Sequence, residues 1–189
     1  LASAGHCEGI SALSLAMFVG LEDHDTYGAA AAFDIPFQGN DAVQRRIDGW
    51  HATQFTEPTR SATSMLEPSA ALELLSRSFD ELDEVYTIGL FNRTEAEFVD
   101  GHTVVPYAID ERGPGSTRLL VYDSNFPGQE RSIEIDPSSD TWSYQGVTTY
   151  DGSADLQVLG LSARLEEPRR PVPLDAGRGS IAHATCMPP

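Results

Sequence analysis

Gly5-His6-Cys7-Glu8-Gly9-Ile10-Ser11-Ala12-Leu13-Ser14-Leu15-Ala16-Met17-Phe18 sets a cysteine between two glycines, directly ahead of a run of small and apolar residues. The run reads as a buried helix from Cys7 to Phe18, with Ile10, Leu13, Met17 and Phe18 on or near its buried side. A thiol at a helix N-terminus faces the backbone N–H groups of the first turn and the positive end of the helix dipole. Both favour thiolate over thiol. Such a cysteine is a candidate nucleophile if a histidine and an orienting acid or amide lie further along the chain.

Downstream of this helix, Leu21 to Asn40 reads as irregular, and Asn40 is a candidate N-cap for a second helix carrying Val43, Ile47 and Trp50 at helical spacing. Ser61 to Glu67 reads as a connector. Pro68 suits the first turn of a third helix carrying Leu72, Leu75 and Phe79. Asp80, Glu81, Asp83 and Glu84 then read as a solvated turn. The texture changes to strands at Val85 to Phe91, His102 to Ile109 and Arg118 to Tyr122, the last two joined by the turn-forming cluster Asp110 to Ser116. Ser132 to Ile135 and Thr141 to Tyr144 form a further hairpin around Pro137 to Asp140, and Leu156 to Leu161 reads as a last strand. Helices first and antiparallel strands second indicate an α+β fold. Residues 1–165 read as one domain and 166–189 as a Pro-, Arg- and Gly-rich tail or linker.

The chain has 189 residues, enough for one domain with a sizeable core. Twelve basic residues, all arginine, stand against 29 acidic ones, a formal charge of −17. Such a field repels phosphate backbones and anionic lipid, so neither nucleic acid nor a membrane surface is expected as a partner. No apolar run approaches the length of a membrane span. The chain begins at Leu1 without a basic, apolar leader, which reads as a processed product or an excised domain. Its two cysteines are Cys7 and Cys186. With Cys186 in the tail, no structural disulfide is expected, and the redox compartment stays open.

Two segments of the strand half supply partners for Cys7. In Asp100-Gly101-His102-Thr103-Val104-Val105 a histidine opens an apolar strand; in Leu119-Leu120-Val121-Tyr122-Asp123-Ser124-Asn125 a strand ends in Asp-x-Asn. A two-strand hairpin closed near Gly113 to Ser116 sets His102 beside Asp123. His102 is then placed to take the Cys7 proton, and Asp123 to hold the imidazole tautomer and stabilise its charge. Asn125 is an alternative or supporting third member, or a residue that stabilises the turn.

At these residues the chain resembles the papain-like cysteine peptidases, most of all their compact bacterial and effector-type members. Their motifs run Gly-x-Cys-x-Gly-(Ile/Leu/Met)-Ser, then Gly-His before an apolar strand, then Tyr/Phe-Asp-x-Asn-x-Gly. Here they stand as Gly5 to Ser11, Gly101-His102, and Tyr122 to Asn125 followed by Phe126-Pro127-Gly128. The resemblance implies a helical half carrying the nucleophile and a β half carrying His and Asp, with the site in the cleft between them. It also implies a protein or peptide substrate, a thioester acyl-enzyme, and no metal or organic cofactor. One departure matters. The family's oxyanion-hole Gln or Asn, about six residues before the cysteine, would fall at Leu1 or earlier. The Cys7 N–H supplies one donor. The second comes from upstream sequence, from Ser3, His6 or a distant amide, or is absent.

Two rival readings stand beside the peptidase. One keeps the triad and passes the acyl group to an amine, as transglutaminase-like and N-acetyltransferase enzymes do. The other is a non-catalytic binding module, which a Cys7–Cys186 bond would favour. Among the remaining clusters, Asp23-His24-Asp25 reads as a solvated loop, because three consecutive residues do not readily converge on one ion. Asp136 to Asp140 and Asp151 to Asp155 lack the ligand spacing of an EF-hand and read as turns. Trp50 and Trp142 read as core or cleft wall, whereas His51 and His183 carry no signal.

Overall fold

The first helix, α1, spans Cys7–Phe18 in a computed structural model that describes residues 5–93, 98–113, 115–152 and 156–166. Its buried face is made mainly of small residues: Cys7, Gly9, Ser11, Ala12 and Ala16, with Leu13 and Leu15. Of the residues expected inside, Leu13 is buried and Ile10 and Met17 are half-buried, but Phe18 is 74% exposed. The helix is approached by both another helix and the sheet, so small side chains on two flanks serve it better than one bulky stripe. Gly9 shows why. A Cβ there would overlap the Ile47 carbonyl oxygen and lie 2.9 Å from the His51 Cβ, both on the second helix.

That second helix, α2, spans Asp41–Thr53 and begins where expected, with the Asn40 side chain accepting from Val43 N at 3.3 Å. Val43, Ile47 and Trp50 are its buried residues. The Leu21 to Asn40 segment contains two short 3₁₀ turns, His24–Tyr27 and Ala32–Asp34. The connector before Pro68 is more ordered than expected, holding a short helix, α3 (Glu57–Ala62), and a strand, β1 (Ser64–Leu66). The next helix, α4 (Pro68–Glu81), starts on Pro68 and buries Leu75, with Leu72 and Phe79 packed at the edge of the core.

The strands are β2 (Tyr86–Arg93), β3 (Phe98–Gly113), β4 (Ser116–Tyr122), β5 (Arg131–Asp136), β6 (Thr141–Gln145), β7 (Thr149–Gly152) and β8 (Leu156–Gly160). A one-turn helix, α5 (Ser162–Leu165), follows. They form an antiparallel sheet in the order β1-β8-β2-β3-β4-β5-β6-β7, so the fold is α+β. β3 serves both halves of it. Its Phe98 to Val104 part pairs with β2, and its Val105 to Gly113 part pairs with β4. A register shift next to Pro106 relieves the ladder where proline has no N–H to give. The hairpin expected at Asp110 to Ser116 is tighter than its composition suggests, because pairing continues to Gly113 opposite Ser116.

The sheet curls until its far end returns to β2 and β3. Asn92 Nδ2 donates to Thr149 O at 3.1 Å, and the Tyr150 hydroxyl donates to Asp100 Oδ2 at 2.9 Å. Inside the curl lies the main core, where Leu75 of α4 meets Ile88, Leu90, Val104, Val121 and Ile133. A second core gathers Ala12, Leu15, Ala16, Val43, Ile47 and Trp50 from α1 and α2 against Val105 and Leu161. Trp142 belongs to the first core and Trp50 to the second. Among the described residues, no helix is long and apolar enough to cross a membrane. The tail reading for 166–189 falls, beyond Glu166, outside the described residues.

Candidate active site

The buried pair His102 and Asp123 is the centre of the site. Val105 pairs with Tyr122 across the β3–β4 ladder, so Asp123, the next residue, leaves its strand beside Val104, two positions along the same face of β3 from His102. His102 Nε2 stands 2.9 Å from Asp123 Oδ1, an ion-pair distance without the alignment of a full hydrogen bond. His102 is 3% and Asp123 0% exposed, so the contact is shielded from water. Asn125 reaches the carboxylate through its backbone. Its backbone N–H donates to Asp123 Oδ1 at 2.8 Å and closes an Asx turn.

Burial alone would raise the Asp123 carboxyl. It is nonetheless held below the ordinary carboxylate value, because His102, the Tyr144 hydroxyl and the Asn125 N–H together outweigh the loss of water. The Tyr144 hydroxyl, from β6, donates to Asp123 Oδ2. Its own ionisation is pushed up by burial and by the adjacent carboxylate. The Tyr144 and Tyr150 rings each lie 6.4 Å from that of His102. Neither tyrosine carries a local sequence signal for this role. A period-2 reading of Thr141 to Tyr144 marks Tyr144 as inward-facing and nothing more.

Cys7 opens α1, 2% exposed. The helix runs alongside β3. The Ser11 hydroxyl donates to the Thr103 carbonyl at 2.8 Å, and further on Ser14 and Tyr122, the partner of Val105, line one cavity. Four helical residues rise about 6 Å and two strand residues about 6.6 Å, so the four residues back from Ser11 set Cys7 level with Gly101 and His102. The helical ladder begins with Ile10 N to His6 O at 2.9 Å. Cys7 is disulfide-bonded, which corrects the expectation of an unpaired thiol. Cys186, the other cysteine of the chain, lies outside the described residues.

Behind Cys7, the helix start is anchored by charge. Glu8 and Arg164 of α5 form a buried ion pair, and Arg164 also donates to Thr53 Oγ1 and Thr87 Oγ1, each at 3.1 Å. Burial alone would raise Glu8, but Arg164 holds it below its usual value. Glu84, read as part of a solvated turn, instead accepts from the α5 backbone at Ser162 N, 3.2 Å away.

The two oxyanion candidates fall differently. Ser3 lies outside the described residues, and His6 Nε2 is engaged with Asp48 of α2 at 3.1 Å. A cavity of ≈ 630 Å³ opens beside the start of α1, lined by His6, Ile10, Ile47, Asp48, His51 and Phe55 among others. His51, which had no sequence signal, thus forms part of its wall.

Asp23, His24 and Asp25 do converge: one ligand atom from each lies within 4.8 Å of the others, contrary to the expectation from their adjacency. Local bonds account for the convergence. Asp23 Oδ1 caps Asp25 N at 3.0 Å, and His24 Nδ1 sits 3.0 Å from Ala29 O. The turn at Asp136 to Asp140 is also put to use, Asp140 Oδ1 accepting from Ser69 N of α4 at 2.9 Å. Of Asp151 to Asp155, residues 153–155 lie outside the described residues, as does His183.

Comparison with protein-family models, with curated proteins and with solved structures returns no match to this chain.

Proposed function

We propose that the chain is a papain-like cysteine hydrolase of peptide or isopeptide bonds, active when Cys7 is reduced. The observation that carries this reading is the buried pair of His102 on β3 and Asp123 just after β4, level with the helix start that presents Cys7. A water-excluded imidazole–carboxylate contact at such a position is what an activated thiol requires.

The chemistry follows from these groups. Reduced Cys7 gives its proton to His102, whose positive charge Asp123 balances. The thiolate adds to the acyl carbon, and the developing oxyanion meets the Cys7 N–H at the positive end of α1. Collapse breaks the C–N bond, and the departing amine takes the proton from His102, leaving a thioester. Water, deprotonated by His102, then cleaves the thioester, releasing the acid and restoring the thiol. The cavity walled by Ile10, Ile47 and Phe55 offers room for an apolar group of the substrate. A sulfur in a disulfide has neither a proton to give nor a thiolate lone pair, so the cycle begins with thiol reduction.

With reductant, a thiol-directed acylating probe is expected to label Cys7 one-to-one, and peptide-bond hydrolysis is expected to accompany it. Cys7→Ala abolishes both, and His102→Ala slows labelling about 100-fold or more. Undiminished labelling of His102→Ala would remove that residue as the base. Product analysis with added amine separates hydrolysis from acyl transfer. A second reading, a binding module that keeps the fold, is favoured by the bonded state of Cys7. Reduced, folded protein that neither labels nor hydrolyses would establish it.

A further inference from the structure

We infer that Tyr144 is a positioning residue of this site, acting on His102 through Asp123. The inference rests on the triad reading and extends it to a fourth residue on a separate strand.

Asp123 has no exposed surface, so water cannot satisfy its oxygens. Oδ1 faces His102 Nε2 at 2.9 Å and accepts the Asn125 N–H at 2.8 Å. Oδ2 accepts the Tyr144 hydroxyl. The two oxygens are thus held from opposite sides, by the turn that follows β4 and by β6, and the carboxylate plane cannot rotate without breaking one of these contacts. Removing Tyr144 Oη leaves Oδ2 buried without that donor, and such a loss costs more than the bond itself contributes.

Tyr144 is 1% exposed and its position is fixed from several sides. Its ring lies near those of His102 and Tyr150, and the Arg131 guanidinium sits 5.8 Å from its centroid. The charged and titratable groups around the pair are therefore His102 on β3, Arg131 on β5, Tyr150 on β7 and, through Tyr150, Asp100 on β3, with the start of α1 at Cys7 level with His102. Tyr150 is already engaged with Asp100, which leaves Tyr144 as the hydroxyl bonded to Asp123. Because burial and the carboxylate both oppose its ionisation, Tyr144 stays a donor throughout the range in which a thiolate–imidazolium pair exists. Its bond favours the carboxylate over the acid, so the counter-charge to His102 persists to lower pH.

The test follows the alkylation rate of Cys7 by iodoacetamide in reduced full-length protein, from pH 4 to 9, in wild type, Tyr144→Phe, Asp123→Asn and the double variant. Tyr144→Phe is expected to slow alkylation progressively as the pH falls below about 5, by up to about tenfold at the acid limit, and by less than about twofold near pH 8, since a hydrogen bond to a charged group is worth roughly a factor of ten or more. On the Asp123→Asn background, the same substitution changes the rate less than about twofold, because the carboxylate through which it acts is gone. Equal slowing at every pH, or in both backgrounds, would show that Tyr144 only packs, and would overturn the proposal. Site-specific fluorotyrosine at this position keeps the shape and strengthens the donor, and should shift the acid limb the opposite way. If reduced wild type shows no pH-dependent reactivity, the enzyme reading fails. The Asp123 carboxyl titration, followed by ¹³C NMR, then decides the present proposal: it rises in Tyr144→Phe if the proposal holds and is unmoved if it does not.

Discussion

Asp123 concentrates the chemistry of a single residue: a carboxylate without water, kept ionised by donors drawn from three parts of the chain. Because its folded-state value is depressed, the stability it contributes is present above the ordinary carboxylate value, about 3.9, and is lost as pH falls through the folded value. Wild type should therefore lose more stability than Asp123→Asn between pH 5 and pH 2.5, read as the shift in urea midpoint. Parallel losses in the two proteins would mean that Asp123 is not held ionised by the fold. At this scale much of the site was legible. The hairpin that brings His102 near Asp123 was expected, and the Asp-x-Asn order marks a turn, but His102 does not open its strand as expected: β3 begins at Phe98, and His102 lies inside the ladder opposite Leu90 of β2. Tyr144 was not legible, because its bond to Asp123 joins strands whose approach depends on how far the sheet curls.

At the scale of elements, α1 is positioned by features of two kinds. Gly9 lets α2 come close, and Gly9→Ala is expected to cost about 1–3 kcal/mol as α2 is forced away. Thermal denaturation checks this, and an unchanged Tm would show that the helices can separate freely. The Glu8–Arg164 pair ties the first turn of α1 to α5, with both side chains almost wholly buried. Arg164→Leu alone leaves a buried carboxylate without its counter-charge and should cost about 3–5 kcal/mol, whereas Glu8→Met with Arg164→Leu should recover most of that. Equilibrium urea unfolding distinguishes the two, and a double variant as weak as the single one would contradict the ion-pair account. The long helices were legible from capping and period, with Asn40 and Pro68 at their expected ends. The short elements α3, β1 and β7 were not, since three to six residues show too little periodicity to separate them from connectors.

For the whole molecule, the bonded state of Cys7 sets the largest condition on function. The chain holds one other cysteine, so Cys186→Ser is expected to leave Cys7 open to a maleimide probe without reductant, while unreduced wild type resists labelling. Intact-mass spectrometry reads both. Ready labelling of unreduced wild type would show that the bond is not held in solution. The strongly acidic charge belongs to this scale as well, as a field over the surface rather than a property of the site.

By itself the sequence determined the α+β order, the start of α1 at Cys7, the capped start of α2, and the hairpin that joins His102 to Asp123. Each depends on neighbours within a few residues or across one turn, where backbone sterics and hydrophobic period dominate. Only the tertiary structure decided that Tyr144 bonds Asp123, that Glu8 meets Arg164, that Phe18 faces outward and that Cys7 is oxidised. Those outcomes depend on the curl of the sheet and on which elements crowd a given face. They are contacts between distant segments, and no local pattern encodes which of the available partners a buried charge or a thiol will meet.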